Sequence, residues 1–333
     1  MRKLIVAVAL LVTISSCASP NPEATSPVER IAYPKSLSAQ DQATIAYRDT
    51  LRPLDPCAYL DNAALHRIGT PAYVGALFDF NNCVASFKSP DGDLLGSIHV
   101  STFRGIGTPL DEIAYSPNPP QARCGANVPV SDRLSIMVIA DGKIECTVVQ
   151  DIARSAVPHR SERALRTASA RAHINSRLAT LDPCAVLGRV GQGRHPALAS
   201  IDQPPLESSY QNTVNPWACT FRLDSGDDST LQTIRYQFTN RSFTARVGSA
   251  EQESTVGGLS ALESPGSNAL RAPNSCTLDV STTSQPAEPG PDRYNPMSDA
   301  WSTEVISIEA ANGCAAARTT AEELVRLYHQ LPR

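Results

Sequence analysis

Leu54-Asp55-Pro56-Cys57-Ala58 returns as Leu181-Asp182-Pro183-Cys184-Ala185, and three more cysteines follow each copy in the same order. Aspartate before proline is a helix-opening pair. The carboxylate accepts from an orphan N–H of the first turn, and proline at the first helical position gives up no hydrogen bond. In the first copy Cys57, Leu60, Ala64 and Leu65 recur at helical spacing until Gly69. In the second, Cys184, Leu187 and Val190 precede Gly191. Each copy is therefore expected to open with a short helix carrying its first cysteine.

The second cysteine of each copy opens an alternating strand. Residues 83–87 lead into Ser89-Pro90-Asp91-Gly92, a strong turn, and residues 97–103 return. Cys219, Phe221 and Leu223 alternate in the second copy, residues 224–229 turn, and Ile234, Tyr236 and Phe238 alternate back. The third cysteine, Cys124 or Cys276, precedes an apolar strand (residues 134–140 and 305–310) and a glycine, Gly142 or Gly313. The fourth, Cys146 or Cys314, starts a closing helix that ends at Pro158 or Pro332. Helix, hairpin, strands, helix describes an α+β fold: two tandem disulfide-stapled domains, each an antiparallel sheet packed against an opening and a closing helix.

Every interval between successive cysteines is longer in the second copy, while the flanking pattern survives. Insertion into surface loops does this to a duplicated fold. The division reads as residues 38–158 for the first domain, 159–180 for a linker and 181–333 for the second. The linker carries Arg160, Arg163, Arg166, Arg171 and Arg177 against Glu162 alone, the composition of a solvated connector. Residues 38–51, ahead of the first Asp-Pro-Cys, suit a further helix.

The N-terminus reads Met1-Arg2-Lys3, an eleven-residue apolar run from Leu4 to Ile14, then Ser15-Ser16-Cys17. A cationic start, an apolar run and small residues before a cut make a secretory signal. Eleven helical residues rise only about 16 Å, short of the roughly 30 Å hydrocarbon core. Ile14-Ser15-Ser16-Cys17 resembles the bacterial lipobox, so residues 1–17 read as a lipoprotein signal ending at an acylated Cys17. Ordinary cleavage near Ala18 is the alternative. Residues 18–37 include Pro20, Pro22, Pro27 and Pro34 among small and polar residues, the composition of a tether. The expected location is extracytoplasmic, on the outer face of the cell membrane.

Setting Cys17 aside leaves eight cysteines: Cys57, Cys83, Cys124, Cys146, Cys184, Cys219, Cys276 and Cys314. An even number in an exported chain reads as a disulfide framework, and none lies in a Cys-x-x-Cys pair that would suggest zinc or redox exchange. Four cysteines allow three connectivities per copy. Pairing first to second and third to fourth would pin the opening helix to the hairpin and the closing helix to the sheet. The expected bonds are Cys57–Cys83, Cys124–Cys146, Cys184–Cys219 and Cys276–Cys314.

The net charge is −4, and more negative once Arg2 and Lys3 leave with the signal. Such a chain has no electrostatic footprint for nucleic acid.

Leu-Asp-Pro-Cys-Ala with a second cysteine near an aromatic (Cys83 and Phe87; Trp217-Ala218-Cys219) resembles actinobacterial cell-envelope lipoproteins of unknown function. A glycine-containing segment before the third cysteine (Val256-Gly257-Gly258-Leu259, then Cys276) fits the same signature, as does a closing helix ending in Leu331-Pro332. The closing half is also similar to extracellular sensor domains of mycobacterial serine/threonine kinases. The resemblance implies a lipid-anchored envelope protein with a binding or sensing role, and it brings no catalytic residues. This chain differs in having two copies and no kinase segment.

A search for chemistry yields weak patterns. His66, His99, His159, His173, His195 and His329 are scattered, with no His-x-x-x-His pair, so no metal or other cofactor is expected. Gly258-Leu259-Ser260-Ala261 lacks the second glycine of a nucleophile elbow and reads as a turn. Asp224, Asp227 and Asp228 crowd one turn without calcium-loop spacing. Val190-Gly191-Gln192-Gly193-Arg194-His195 follows a helix, the wrong end of the dipole for an anion cradle. Trp217 is expected to pack on the Cys219 disulfide, and Trp301 is a possible stacking surface. A pocket, if present, is sought between the copies. The expectation is a non-catalytic binding or sensor-accessory lipoprotein, its ligand an unidentified small molecule or envelope protein. The alternatives are a structural lipoprotein that docks another envelope protein and, last, a secreted hydrolase.

Overall fold

The computed structural model describes residues 37–77, 79–89, 91–104, 109–118, 123–132, 134–160, 176–199, 215–224, 226–239, 243–245, 248–266, 270, 272–282 and 303–332. Cys17, the tether before residue 37, His173, Trp301 and most of the linker lie outside them. Helix α1 (Ala39–Leu51) starts where Ser38 Oγ accepts the Asp41 N–H at 3.0 Å, and it stops ahead of Pro53.

Each Asp-Pro-Cys forms a 3-10 turn, Pro56–Tyr59 and Pro183–Val186. The aspartate accepts from the cysteine N–H two residues on, at 2.8 Å for Asp55 and 3.0 Å for Asp182. The opening helix differs from the sequence expectation. In the first copy Leu60 is extended and Asp61 caps a separate helix, α2 (Asn62–Ile68). A second capping aspartate so close behind the first restarts the helix instead of extending it. In the second copy the turn runs into a four-residue helix, α4 (Leu187–Val190). The closing helices are α3 (Cys146–Ala156) and α5 (Cys314–Gln330).

The strands are β1 (Tyr73–Leu77), β2 (Asp79–Lys88), β3 (Leu94–Arg104), β4 (Ala114–Asn118), β5 (Arg123–Pro129), β6 (Leu134–Gly142), β7 (Ala197–Leu198), β8 (Ala218–Arg222), β9 (Leu231–Thr239), β10 (Gln252–Val256), β11 (Leu259–Pro265), β12 (Cys276–Ser281) and β13 (Thr303–Ala310). They pair antiparallel throughout, in two runs: β1-β2-β3-β6-β5-β4 and β7-β8-β9-β13-β12-β11-β10. Read position by position, the runs share one order, with β10 added at the far edge of the second. They meet at a single register pair, Asp79 with Gln237. Residues Tyr33–Arg333 gather into one compact unit.

The four disulfides are Cys57–Cys83, Cys124–Cys146, Cys184–Cys219 and Cys276–Cys314. Each sits at the same station of its run: 3-10 turn to β2 or β8, and β5 or β12 to closing helix. Beneath them lie two apolar clusters. One packs Val149, Ile152 and Ala153 of α3 on Ile98, Val100, Ala126, Val138 and Ala140 of the first run. The other packs Ala317, Ala321, Leu324 and Val325 of α5 on Ile234, Leu278, Val280, Ile306 and Ile308 of the second. The apolar face of each closing helix is thus what each sheet needs to bury its own.

Helix α1 precedes the first Asp-Pro-Cys in the chain, yet Ile45 belongs to the cluster of the second run. Phe80 of β2 does too. Its ring stacks on Phe238 with centroids 4.7 Å apart and meets Trp217 edge-on at 6.0 Å.

Candidate functional site

The densest gathering of polar chemistry lies where α1 meets the opening turn of the second run. Arg48 is 1 % exposed. Its Nε donates to Asn215 O at 3.2 Å, Nη1 to Cys184 Sγ at 3.0 Å, and Nη2 to Ala218 O. One turn on, Arg52 Nη2 lies 3.1 Å from Asp49 Oδ1 and 3.4 Å from Asp182 Oδ1, and it donates to Pro216 O at 3.3 Å. Tyr236 closes the group from β9, its buried hydroxyl without a hydrogen-bond partner among the described residues. Helical spacing brings both arginines to one face of α1, and burial of Ile45 holds that face down.

Burial governs the electrostatics here. It lowers the Arg48 guanidinium to about 9, helped by the like charge of Arg52, so Arg48 is still charged at neutral pH. Burial also lowers Arg52, against the pull of Asp49. It raises the Asp182 carboxyl to about 7, opposed by the Cys184 N–H bond. Tyr236 is raised well above its usual value, by burial and then by Asp182. Phe80 brings its ring to those of Trp217, Tyr236 and Phe238, with centroids 6.0, 6.2 and 4.7 Å away. Trp217 shares its cluster with Cys184 and Cys219, and its Nε1 donates to Ala179 O at 3.1 Å.

A second polar group occupies the face of the second run that does not carry α5. Arg235 Nη1 donates to Glu309 Oε1 at 2.9 Å, Ser307 Oγ to Asp279 Oδ1 at 2.6 Å, and Thr220 and Thr233 hydroxyls pair at 3.2 Å. All but Arg235 are buried. Polar alternation along β9 and β13 is the sequence signal for it, visible as Thr233-x-Arg235-x-Gln237 and Thr303-x-Val305-x-Ser307-x-Glu309.

The residues singled out from the sequence fall as follows. His66 Nδ1 is 2.6 Å from Asn62 O, and His329 Nε2 is 3.1 Å from Gly257 O. His195 bridges to Asp224, and His159 borders a depression of about 200 Å³ with Tyr59, Asp61, Asn62 and Ser155. Ser97, His99 and Asp141 meet across β3 and β6. Ser97 Oγ lies 2.8 Å from His99 Nε2, and Asp141 Oδ2 lies 3.4 Å from the same nitrogen. A hydrolytic relay needs nucleophile and carboxylate on opposite ring nitrogens, so this arrangement does not make one.

In the acidic turn Asp224 is gripped by Arg194 and held below the usual carboxylate range by that hydrogen bond. Asp228 accepts from Arg222 at 2.5 Å, and Asp227 caps the following 3-10 turn. Arg194 and Arg222 thus pair with Asp224 and Asp228, while Asp227 accepts the Ser229 N–H at 2.9 Å. Among the described residues no group of three or more His, Cys, Asp or Glu is placed to hold a metal ion, and no helix is long and apolar enough to cross a membrane. Gly191 ends α4, and Gly257-Gly258 makes the two-residue turn between β10 and β11. Arg177, assigned to the solvated linker, instead donates to Tyr328 O and Leu331 O at the end of α5. Sequence reading missed Arg48 and Arg52 altogether, since charged residues on a predicted surface helix carry no local mark of burial.

Comparison with protein-family models, curated proteins and solved structures matches none of them to this chain.

Proposed function

We propose that this chain is an exported lipoprotein, held at the outer face of the cell membrane by acylated Cys17, with a non-catalytic binding or sensor-accessory role. The observation that carries the reading is the pairing of all eight later cysteines into four disulfides, behind a signal that ends in a lipobox-like cysteine. Disulfides persist in oxidising compartments and are rare in the cytosol. On this reading residues 38–158 and 181–333 are tandem copies of one stapled α+β domain, of the kind that the Asp-Pro-Cys lipoprotein resemblance implies. The shared strand order and the matched disulfide stations support the duplication.

A second reading is an interaction lipoprotein that docks another envelope protein without a small ligand. The packing of Phe80 on Phe238 and Trp217, which occupies the join of the two runs with protein side chains, favours it.

Native mass spectrometry of protein extracted from its own membrane tests both. The expected mass starts at Cys17 and carries two or more acyl chains, and Cys17→Ala abolishes both the acyl mass and the membrane fractionation. A retained small molecule selects the first reading, and a retained protein partner the second. Free thiols in a cytosolic pool would overturn both.

A further inference from the structure

We propose that α1 is a gate over the Cys184–Cys219 disulfide, and that Arg48 selects Cys184 as the sulfur that leaves when this disulfide is exchanged. Both sulfurs are sealed, each cysteine 0 % exposed. The seal includes α1, because Ile45 packs in the same cluster as Cys184 and Cys219. Arg48 reaches one sulfur of the bond and the backbone that leads to the other. Its Nη1 lies 3.0 Å from Cys184 Sγ, and its Nε and Nη2 hold Asn215 O and Ala218 O in the turn that leads into Cys219.

The placement has a chemical consequence. The charge on Arg48 faces two carbonyls and a sulfur, with its nearest carboxylates engaged by Arg52. A thiolate at Cys184 would give that guanidinium an anionic partner in place of a neutral sulfur. A neighbouring cation lowers a thiol's pKa, and the sulfur of lower pKa is the better leaving group. When α1 lifts, a dithiol reductant's thiolate attacks Cys219 Sγ. A mixed disulfide forms there, the Cys184–Cys219 bond breaks, and its electron pair goes to Cys184 Sγ beside Arg48. The reductant's second thiol then displaces Cys219. The protein gains two electrons, and the dithiol is oxidised to its own disulfide.

A control is built in. Cys57–Cys83 is as deeply buried, 1 % and 0 % exposed, but lies in the other apolar cluster, which holds no residue of α1. Cys124 and Cys314 are half-buried and Cys146 is exposed, so their two bonds do not report on gating.

The test is timed reduction of the full-length oxidised protein by dithiothreitol, with alkylation and peptide mapping of each cysteine. In the wild type, Cys184–Cys219 and Cys57–Cys83 should both reduce slowly. Ile45→Asp, which unseats α1, should speed Cys184–Cys219 at least tenfold and leave Cys57–Cys83 unchanged. In that background a monothiol probe, glutathione, should be trapped on Cys219 with Cys184 alkylated, and adding Arg48→Met should erase the preference. Equal reduction of the two buried disulfides in Ile45→Asp, or an adduct mainly on Cys184, overturns the proposal. If Ile45→Asp loosens all four bonds, the wild type decides. Its Cys184–Cys219 reduction should plateau at the opening rate of α1 amides in hydrogen exchange, and a plateau at the global unfolding rate overturns the gate.

Discussion

Asp182 accepts the Cys184 N–H at 3.0 Å and lies 3.4 Å from Arg52, in a setting dry enough to raise its carboxyl from 3.8 to about 7. Burial sets that direction, and the hydrogen bond from the Cys184 N–H pulls the other way. A carboxyl raised in the folded state binds its proton more tightly than the unfolded chain does. The stability it contributes is full below pH about 4, falls as pH rises, and is gone above pH about 7. Asp182→Asn keeps a cap acceptor without the titration. Between pH 4 and 7 the wild type should therefore lose about 3 kcal/mol relative to this variant. Urea unfolding of both proteins across that range checks it, and parallel curves would refute the assignment. The Asp-Pro-Cys cap itself was legible in the sequence, because capping is local. The burial of its carboxylate was not, because the residues that dry it come from α1 and β9.

Elements were legible to the extent that one period and one pair of end signals defined them. The closing helices α3 and α5 begin at the expected cysteines, and the Ser89–Gly92 turn separates β2 from β3. The opening helix of the first copy was read as one piece, since apolar spacing alone does not show that Asp61 is a second cap. No strand was read at β1, β4, β5, β7, β10, β11 or β12; of these β1, β4 and β10 are short edge strands, where alternation is weak. The β10–β11 turn shows how elements are fitted to each other. Gly257 has φ +56°, and a Cβ there would stand 2.5 Å from Val325 Cγ1 of α5, whereas one at Gly258 would meet open space. Both positions favour glycine, but Gly257 also sets how closely the turn approaches the helix. Gly257→Ala should destabilise by about 2–3 kcal/mol and Gly258→Ala by about 1 kcal/mol in thermal unfolding. Equal costs would mean that the turn shifts freely on α5.

At the scale of the whole molecule, four staples and two apolar clusters share the stabilisation. Closing a loop of 38 residues, as Cys276–Cys314 does, constrains the unfolded chain by about 4 kcal/mol, and the 22-residue loop of Cys124–Cys146 by about 3.5 kcal/mol. Replacing either pair by serines should lower the unfolding midpoint accordingly. The two runs are joined through Phe80, through α1 and through the Asp79–Gln237 pair. Loss of the Cys276–Cys314 bond should therefore weaken hydrogen-exchange protection in β3 and β6 as well as in β9 and β13. Protection lost in the second run alone would show that the runs unfold independently.

The sequence by itself determined the Asp-Pro-Cys caps, the closing helices and the order of the cysteines, leaving three connectivities per copy from which the structure selects the four disulfides. The caps and helices follow from interactions within a few residues, and such information is local. Only the tertiary structure decided that α1 packs on the second run through Ile45 and on Leu134 of the first through Leu51, that Arg48 lies against the Cys184 sulfur, and that the face of β9 and β13 opposite α5 is a buried polar layer. Those outcomes depend on which distant surfaces exclude water together, and a linear pattern does not encode that choice at any one position.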